Sequence, residues 1–379
     1  MTPLSLALIA SCTCTARPGA PRDAALIGAW RDYRRVFIQD DGRVVDRSAD
    51  GISTSEGQAY AMIRAVWVDD RDGFDRVLRW TTANLQGGVP GRLPAWKWGQ
   101  RPDGTWGVID ENPASDADLW MAYALLIAGE QWAEPQYGEY ALGLLAPIWE
   151  KEVLRVGERW LLLPGPWAAE HTPVQINPSY YLPFAFRLFA EADPTHPWGA
   201  LVDDSYWMFE ATAAAGAPQG TGLPPDWAWY DPEAAAFVPP PPGQEGKDAY
   251  GYEAMRVPWT LAAEIEWYDE PRARAQLDRM DGLLERWHRD GAVPAVINPD
   301  GGPGRDYPSL GLYGAVLPAW GITSPDDARS LYEHVIFPAR TVSGWGDTED
   351  YYAHNWVWFG LALWGDLADP PRATPERTP

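Results

Sequence analysis

Ile52-Ser53-Thr54-Ser55-Glu56-Gly57-Gln58-Ala59-Tyr60-Ala61-Met62 carries a single carboxylate out of a small polar run into an apolar helix. Ala59, Met62, Ile63 and Val66 fall at i, i+3, i+4 and i+7, one face of a helix whose first turn holds Glu56. Locally, Ser53 followed three residues later by Glu56 reads as a capping box, in which serine oxygen and glutamate carboxylate satisfy the free amides of a helix start. A chemical reading competes with it, because two later helix starts carry carboxylates in the same way. In Ala114-Ser115-Asp116-Ala117-Asp118 the helix dipole accounts for one acid, but residues at i and i+2 point to different sides and only one can cap. In Tyr250-Gly251-Tyr252-Glu253-Ala254-Met255-Arg256, Glu253 and Arg256 stand at i and i+3, the spacing of a surface ion pair worth under ~1 kcal/mol.

The same periodicity predicts eleven further helices, over about 22–38, 71–85, 115–132, 136–150, 179–192, 196–215, 251–268, 272–288, 307–320, 325–336 and 349–367. Between Val153 and Leu163 residues alternate around Gly157, a small hairpin. Gln86 to Pro113 is a long Gly/Pro-rich loop, and loops of that length in compact domains are usually functional. Twelve helices with almost no strand signal predict an all-α fold, an (α/α)6 toroid of six hairpins with parallel inner helices. It forms one domain over 21–368, with Pro239 to Pro242 a stiff connector inside it and a polar, disordered tail from 369 to 379.

Hydrophobic residues make up 46% of the 379, ample for a large core, and of the 23 Trp and 17 Tyr most must be core. The remainder suits a groove, since sugar rings present flat C–H faces to aromatic side chains. A net charge of −23 excludes nucleic acid as a partner, because phosphates need a basic footprint. Residues 1–20 read as a processing segment: Leu4 to Ala10 is apolar but too short to span a bilayer. Ile9-Ala10-Ser11-Cys12 resembles the bacterial lipoprotein cleavage box, although no Lys or Arg precedes the apolar run. The expectation is a periplasmic or secreted protein, with Cys12 as the site of a lipid anchor to a membrane. Cys12 and Cys14 are the only cysteines, so the folded body has no disulfide, thiolate metal site or Cys nucleophile. Five scattered His and the lack of a Gly-rich phosphate loop after a strand predict neither metal nor cofactor. A monomer is expected.

These segments together resemble glycoside hydrolase family 8, the inverting endoglucanases. The family signature around its active-site aspartate is met by Ala114-Ser115-Asp116-Ala117-Asp118 through Ala122, Ala128 and Trp132. Thr54-Ser55-Glu56-Gly57-Gln58, with Tyr60 and Met62, matches the segment that bears the family's general acid. Leu93-Pro94-Ala95-Trp96-Lys97-Trp98-Gly99, Asn177-Pro178-Ser179-Tyr180 and Asp350-Tyr351-Tyr352 resemble the branch that accompanies bacterial cellulose synthases. The likeness runs from about 24 to 365. It implies an endo-β-1,4-glucanase acting on cellulose chains in cellulose biosynthesis or turnover, in association with the synthase machinery. Glu56 is then the acid, Asp116 the residue that grips the distorted sugar, and Glu253 the base.

From their chemistry, Arg256 is placed to orient Glu253 and Tyr252 to orient the water, while Trp96, Trp98 and Tyr180 are candidate stacking platforms and Tyr352 a further substrate contact. Asp116 close to Glu56 would raise the acid's pKa by like charge and burial. One departure stands out: the family's base is an Asp, and Glu253 is one methylene longer. Inverting enzymes separate their carboxyl groups by roughly 6.5–9.5 Å, retaining ones by about 5–5.5 Å, so the longer side chain bears on mechanism. The departure also leaves open a glucan-binding protein with weakened catalysis and Asp248 or Glu245 as the base instead, while the acidic composition leaves open a chitosanase, with a xylanase of the same family next.

Overall fold

The computed structural model describes residues 20–215, 221–342, 344–347 and 350–368, with side chains from Ala24 onward. The expected leader with Cys12, and the tail from 369, lie outside the described residues. The helices are α1 (Ala20–Phe37), α2 (Ser55–Trp67), α3 (Arg71–Asn84), α4 (Ser115–Gln131), α5 (Pro135–Glu152), α6 (Pro183–Ala192), α7 (Trp198–Ala215), α8 (Arg256–Tyr268), α9 (Pro271–Leu277), α10 (Gly282–Asp290), α11 (Leu310–Thr323), α12 (Pro325–Leu331) and α13 (Tyr351–Trp364). Six of them form a closed ring, α2 on α4, α4 on α6, α6 on α8, α8 on α11, α11 on α13 and α13 back on α2. An outer helix backs each: α3 on α2, α5 on α4, α7 on α6, α9 on α8, α12 on α11 and α1 on α13. This is the expected (α/α)6 toroid.

Patterning explains which helices go inside. α4 is buried from Ser115 through Ala128 and α11 from Gly311 through Trp320, because both are apolar nearly all round. α3 is amphipathic and buries only one face, Phe74, Val77, Leu78, Trp80 and their neighbours. The ring's axis is filled by aromatic rings from four inner helices. Trp120 stacks on Phe359 at 5.8 Å and 4°, and Trp67, Trp259 and Trp356 pack around that pair. Much of the tryptophan is therefore core.

Several expected boundaries shift. The helix expected over 272–288 breaks between Leu277 and Gly282 into α9 and α10, and α12 passes into a π turn over Tyr332–Ile336. The helix expected from Gly251 begins only at Arg256, and that expected from Ser179 only at Pro183, after a 3-10 turn over Pro178–Tyr180.

Short strands occur where almost none were expected. β1 (Ser53–Thr54), β2 (Lys97–Gln100) and β3 (Trp106–Asp110) form an antiparallel sheet with Ser53 opposite Trp98. β4 (Val153–Val156) and β5 (Arg159–Leu162) are the hairpin expected around Gly157. β6 (Val174–Ile176), β7 (Ala228–Asp231) and β8 (Ala236–Val238) make a third sheet. Strands this short hold too few residues for a period of two to emerge in sequence. They tie loops to the rim: β1 runs into the helix of Glu56, and β6 runs into Asn177. Among the described residues no helix is long and apolar enough to cross a membrane.

Candidate active site

At the start of α2 the cap is Thr54, whose Oγ1 accepts from the Gly57 N–H at 3.0 Å. Ser53, expected to cap, instead donates to the Val44 carbonyl at 2.6 Å and accepts from Arg43 Nε at 2.8 Å. Glu56 is thereby released from helix capping: Oε1 accepts from the Tyr351 hydroxyl at 2.9 Å and Oε2 from Arg256 Nη1 at 3.3 Å. At α4 the preceding residue is Ala114, which makes no side-chain cap, and of the two aspartates it is Asp116 that takes a free amide of the first turn. Asp116 accepts from the neighbouring Ala117 N–H at 2.8 Å and, through Oδ2, from Arg256 Nη1 at 2.9 Å.

Arg256 is the hub. Its side chain is 4% exposed, so the pair with Glu253 that spacing suggested as a surface contact is partly buried. Nη1 reaches Glu56 and Asp116, while Nη2 donates to Glu253 Oε2. Nε and Nη2 also donate to Ser179 Oγ at 3.0 and 2.7 Å. Ser179 Oγ in turn donates to Asn177 Oδ1 at 2.7 Å, and Asn177 Nδ2 donates to Glu253 Oε2 at 3.0 Å, closing a loop around the fork. The Tyr180 ring covers the guanidinium, 5.0 Å from its carbon. The N-terminal ends of α2, α4, α8 and α13 and the turn before α6 thus meet at one mouth. Their positive dipole ends face the carboxylates.

Three carboxyl groups against one guanidinium leave an excess of negative charge, which protonation relieves. Burial first, then the charge of Asp116, push Glu56 up to about 8 against the pull of Arg256. Burial also raises Asp116, with Arg256 opposing. For Arg256, burial works downward, but Glu253 foremost among its neighbours outweighs it and holds the guanidinium firmly charged. Glu56 therefore carries a proton at neutral pH. The Glu56 and Glu253 side chains are 20% and 30% exposed against 6% for Asp116, so both reach the cleft while Asp116 lies deeper.

The remaining predicted residues spread around this centre. The Tyr252 hydroxyl lies 3.2 Å from that of Tyr307 on the exposed rim. Tyr352 donates to the Tyr252 carbonyl at 2.6 Å. Trp96 is half-buried, and its carbonyl accepts from Ser55 N–H at 3.0 Å, which sets its backbone next to the start of α2. Trp98 is stacked on Trp106 at 5.3 Å with Arg43 against both rings, so its faces are largely taken; Trp106, 46% exposed, is the ring this hairpin presents to solvent. Glu245 accepts from Gly243 in its own exposed turn, and Asp248 lines a separate cavity of about 460 Å³ with Trp227 and Trp229. Neither joins the Arg256 network.

Motif reading passed over Trp106, Trp227, which meets Tyr180 edge-on at 6.1 Å, and Asp226. Tyr351, Asn177 and Ser179 stand within motifs that assign them no role. Their partners are distant in sequence: Tyr351 and Glu56 are 295 residues apart.

The chain matches the sequence model of glycosyl hydrolases family 8 over residues 3–296. An endoglucanase of Pseudomonas fluorescens (strain SBW25) is 41% identical over 262 residues, which are 67% of this chain and 64% of that one. An endoglucanase of Escherichia coli (strain K12) is 33% identical over 336 residues, 88% of this chain and 85% of that one. Among solved structures, an endo-1,4-D-glucanase from Vibrio fischeri ES114 is similar with a TM-score of 0.76 at 29% identity, covering 89% of this chain and 95% of that one. A cold-adapted family 8 xylanase shares the fold at 17% identity, with a TM-score of 0.75 over 93% of each chain.

Proposed function

Because the chain belongs to glycosyl hydrolases family 8, we propose that it cleaves β-1,4-linked glucan chains internally, by direct attack of water with inversion at the anomeric carbon. The observation that carries this reading is the convergence of Glu56, Asp116 and Glu253 on the one buried guanidinium of Arg256. In this scheme protonated Glu56 gives its proton to the leaving glycosidic oxygen as the C1–O bond breaks. A water on the opposite face of the sugar forms the new C1–O bond and yields its proton to Glu253, whose carboxylate Arg256 and Asn177 hold in place. Asp116, deeper and bonded to Arg256, is placed to accept hydroxyls of the distorted sugar. Tyr180 and Trp96 flank the centre as stacking surfaces.

The named relatives favour a β-glucan. The charge of −23 favours one other polymer, chitosan, whose amines would meet an acidic surface. Ile9-Ala10-Ser11-Cys12 supports export with lipidation at Cys12, and the segments shared with the synthase-associated branch support work beside cellulose synthase. Reducing-end release from a soluble cellulose derivative, chitosan and xylan decides the substrate: the glucan should be cleaved fastest, and binding without release from any of the three would leave a glucan-binding protein. Proton NMR of the first minutes of reaction decides the stereochemistry. An α-anomer from the β-linked chain is expected; initial β-product would make Glu253 a nucleophile.

A further inference from the structure

The turn that carries Glu253 lies outside the helix that follows it, and within it Met255 N–H donates to the Gly251 carbonyl at 3.0 Å and Arg256 N–H to the Glu253 carbonyl at 3.1 Å. α8 begins only at Arg256, its preceding residue Met255 makes no side-chain cap, and residues 251–255 form an irregular turn. The amides of this turn are gathered by a residue 27 positions earlier. Asp226 Oδ1 accepts from the N–H groups of Gly251, Glu253 and Ala254 at 2.9, 3.1 and 2.7 Å. Its own backbone is fixed in turn, Asp226 N–H donating to the Ala249 carbonyl at 2.7 Å and Trp227 N–H to that of Lys247 at 3.1 Å. Three converging amides form a concave anion site, and here a carboxylate of the same chain fills it. Gly251 permits the approach, since a Cβ there would stand 2.7 Å from Asp226 Oδ2. Burial foremost, with the charge of Glu253 adding and the three amides opposing, brings Asp226 up to about 7.

We propose that Asp226 is the positioning residue of the base. Its carboxylate sets the peptide frame of residues 251–254, and with it the point from which the Glu253 side chain, one methylene longer than the family's aspartate, reaches Arg256 and the water. This rests on the reading of Glu253 as the base.

The test compares Asp226→Ala, Asp226→Asn and Gly251→Ala with the wild type on a soluble cellulose derivative, alongside amide hydrogen exchange. Asp226→Ala should lower kcat by roughly 100-fold with little change in KM, the loss expected when a catalytic group is misplaced by about 1 Å. Its exchange should accelerate at Gly251, Glu253 and Ala254 and stay unchanged in the ring helices. Asp226→Asn keeps an oxygen that can accept the same amides and should stay within about tenfold of wild type, as positioning rather than proton transfer requires. Gly251→Ala, which presses on Oδ2, should reproduce the kcat loss and serves if Asp226→Ala does not fold. Wild-type kcat in both Asp226→Ala and Gly251→Ala overturns the proposal. So does an Asp226→Asn enzyme as inactive as Asp226→Ala with normal exchange, which would make Asp226 itself the proton acceptor. A wild type that cleaves no glucan defeats the reading of function instead; the exchange rates then still decide whether Asp226 holds this turn.

Discussion

Glu56 sits between opposing influences. Tyr351 and Arg256 donate to it and favour its charge, whereas burial and the nearby Asp116 disfavour it, and the outcome near 8 suits a general acid working at neutral pH. If the protonated form is the active one, kcat/KM should fall about tenfold per unit as pH rises above about 8. Glu56→Gln keeps the shape and loses only the proton, so hydrolysis should drop by roughly 10²–10⁴ while oligosaccharide affinity, measured by calorimetry, stays near wild type. A variant within about tenfold of wild type, or one that retains the alkaline limb, would remove Glu56 from the role.

Between the first turn of α4 and the last of α5 lies a second pair of acids, Asp118 and Glu152, both fully buried. Their oxygens meet no other hydrogen-bonding partner, and the two carboxyl groups face each other. Burial foremost raises both well above the ordinary carboxylate range. The helix dipoles sort the proton: Glu152, at the negative end of α5, keeps it, and Asp118, at the positive end of α4, accepts from it. In the unfolded chain both acids ionise near pH 4, so above that pH the folded state binds more protons and stability falls as pH rises. Glu152→Gln replaces the titrating donor with a permanent one. Its melting temperature should therefore decline less between pH 5 and pH 8 than that of wild type; parallel curves from thermal melts would refute the shared proton.

At one seam of the ring, between α11 and α13, two backbones nearly touch. A Cβ built on Gly360 of α13 would fall inside the carbonyl of Gly314 of α11, and one on Gly314 would fall onto the backbone of Val357. Nothing flexible stands there to yield. Gly360→Ala should cost about 1–3 kcal/mol through overpacking, which lowers a melting temperature by roughly 2–4 °C per kcal/mol in proteins of about 150–250 residues and by less in one of this size. Gly28→Ala, in α1 with nothing within 4 Å of the added carbon, serves as the control and should leave the melt unchanged or slightly raised. Equal melts for the two variants would show that the seam is not the tight joint it looks to be.

Periodicity is a local property, and what depends on it was legible before folding: the helices, their sorting into all-round apolar and amphipathic, and hence a ring of hairpins. The motif residues Glu56, Asp116, Glu253 and Arg256 were legible as well, since they stand in motifs that mark two helix starts and the turn just before a third. What each carboxylate does there was not. Ser53 and Glu56 satisfy the pattern of a capping box, yet Thr54 caps and Glu56 turns to Tyr351 and Arg256, 295 and 200 residues away. A polar group bonds to whichever donor the fold brings nearest, and no window of sequence contains that distance. For the same reason only the tertiary structure gathered three acids on one guanidinium, turned Tyr252 toward Tyr307, and brought Asp226 under the turn of the base.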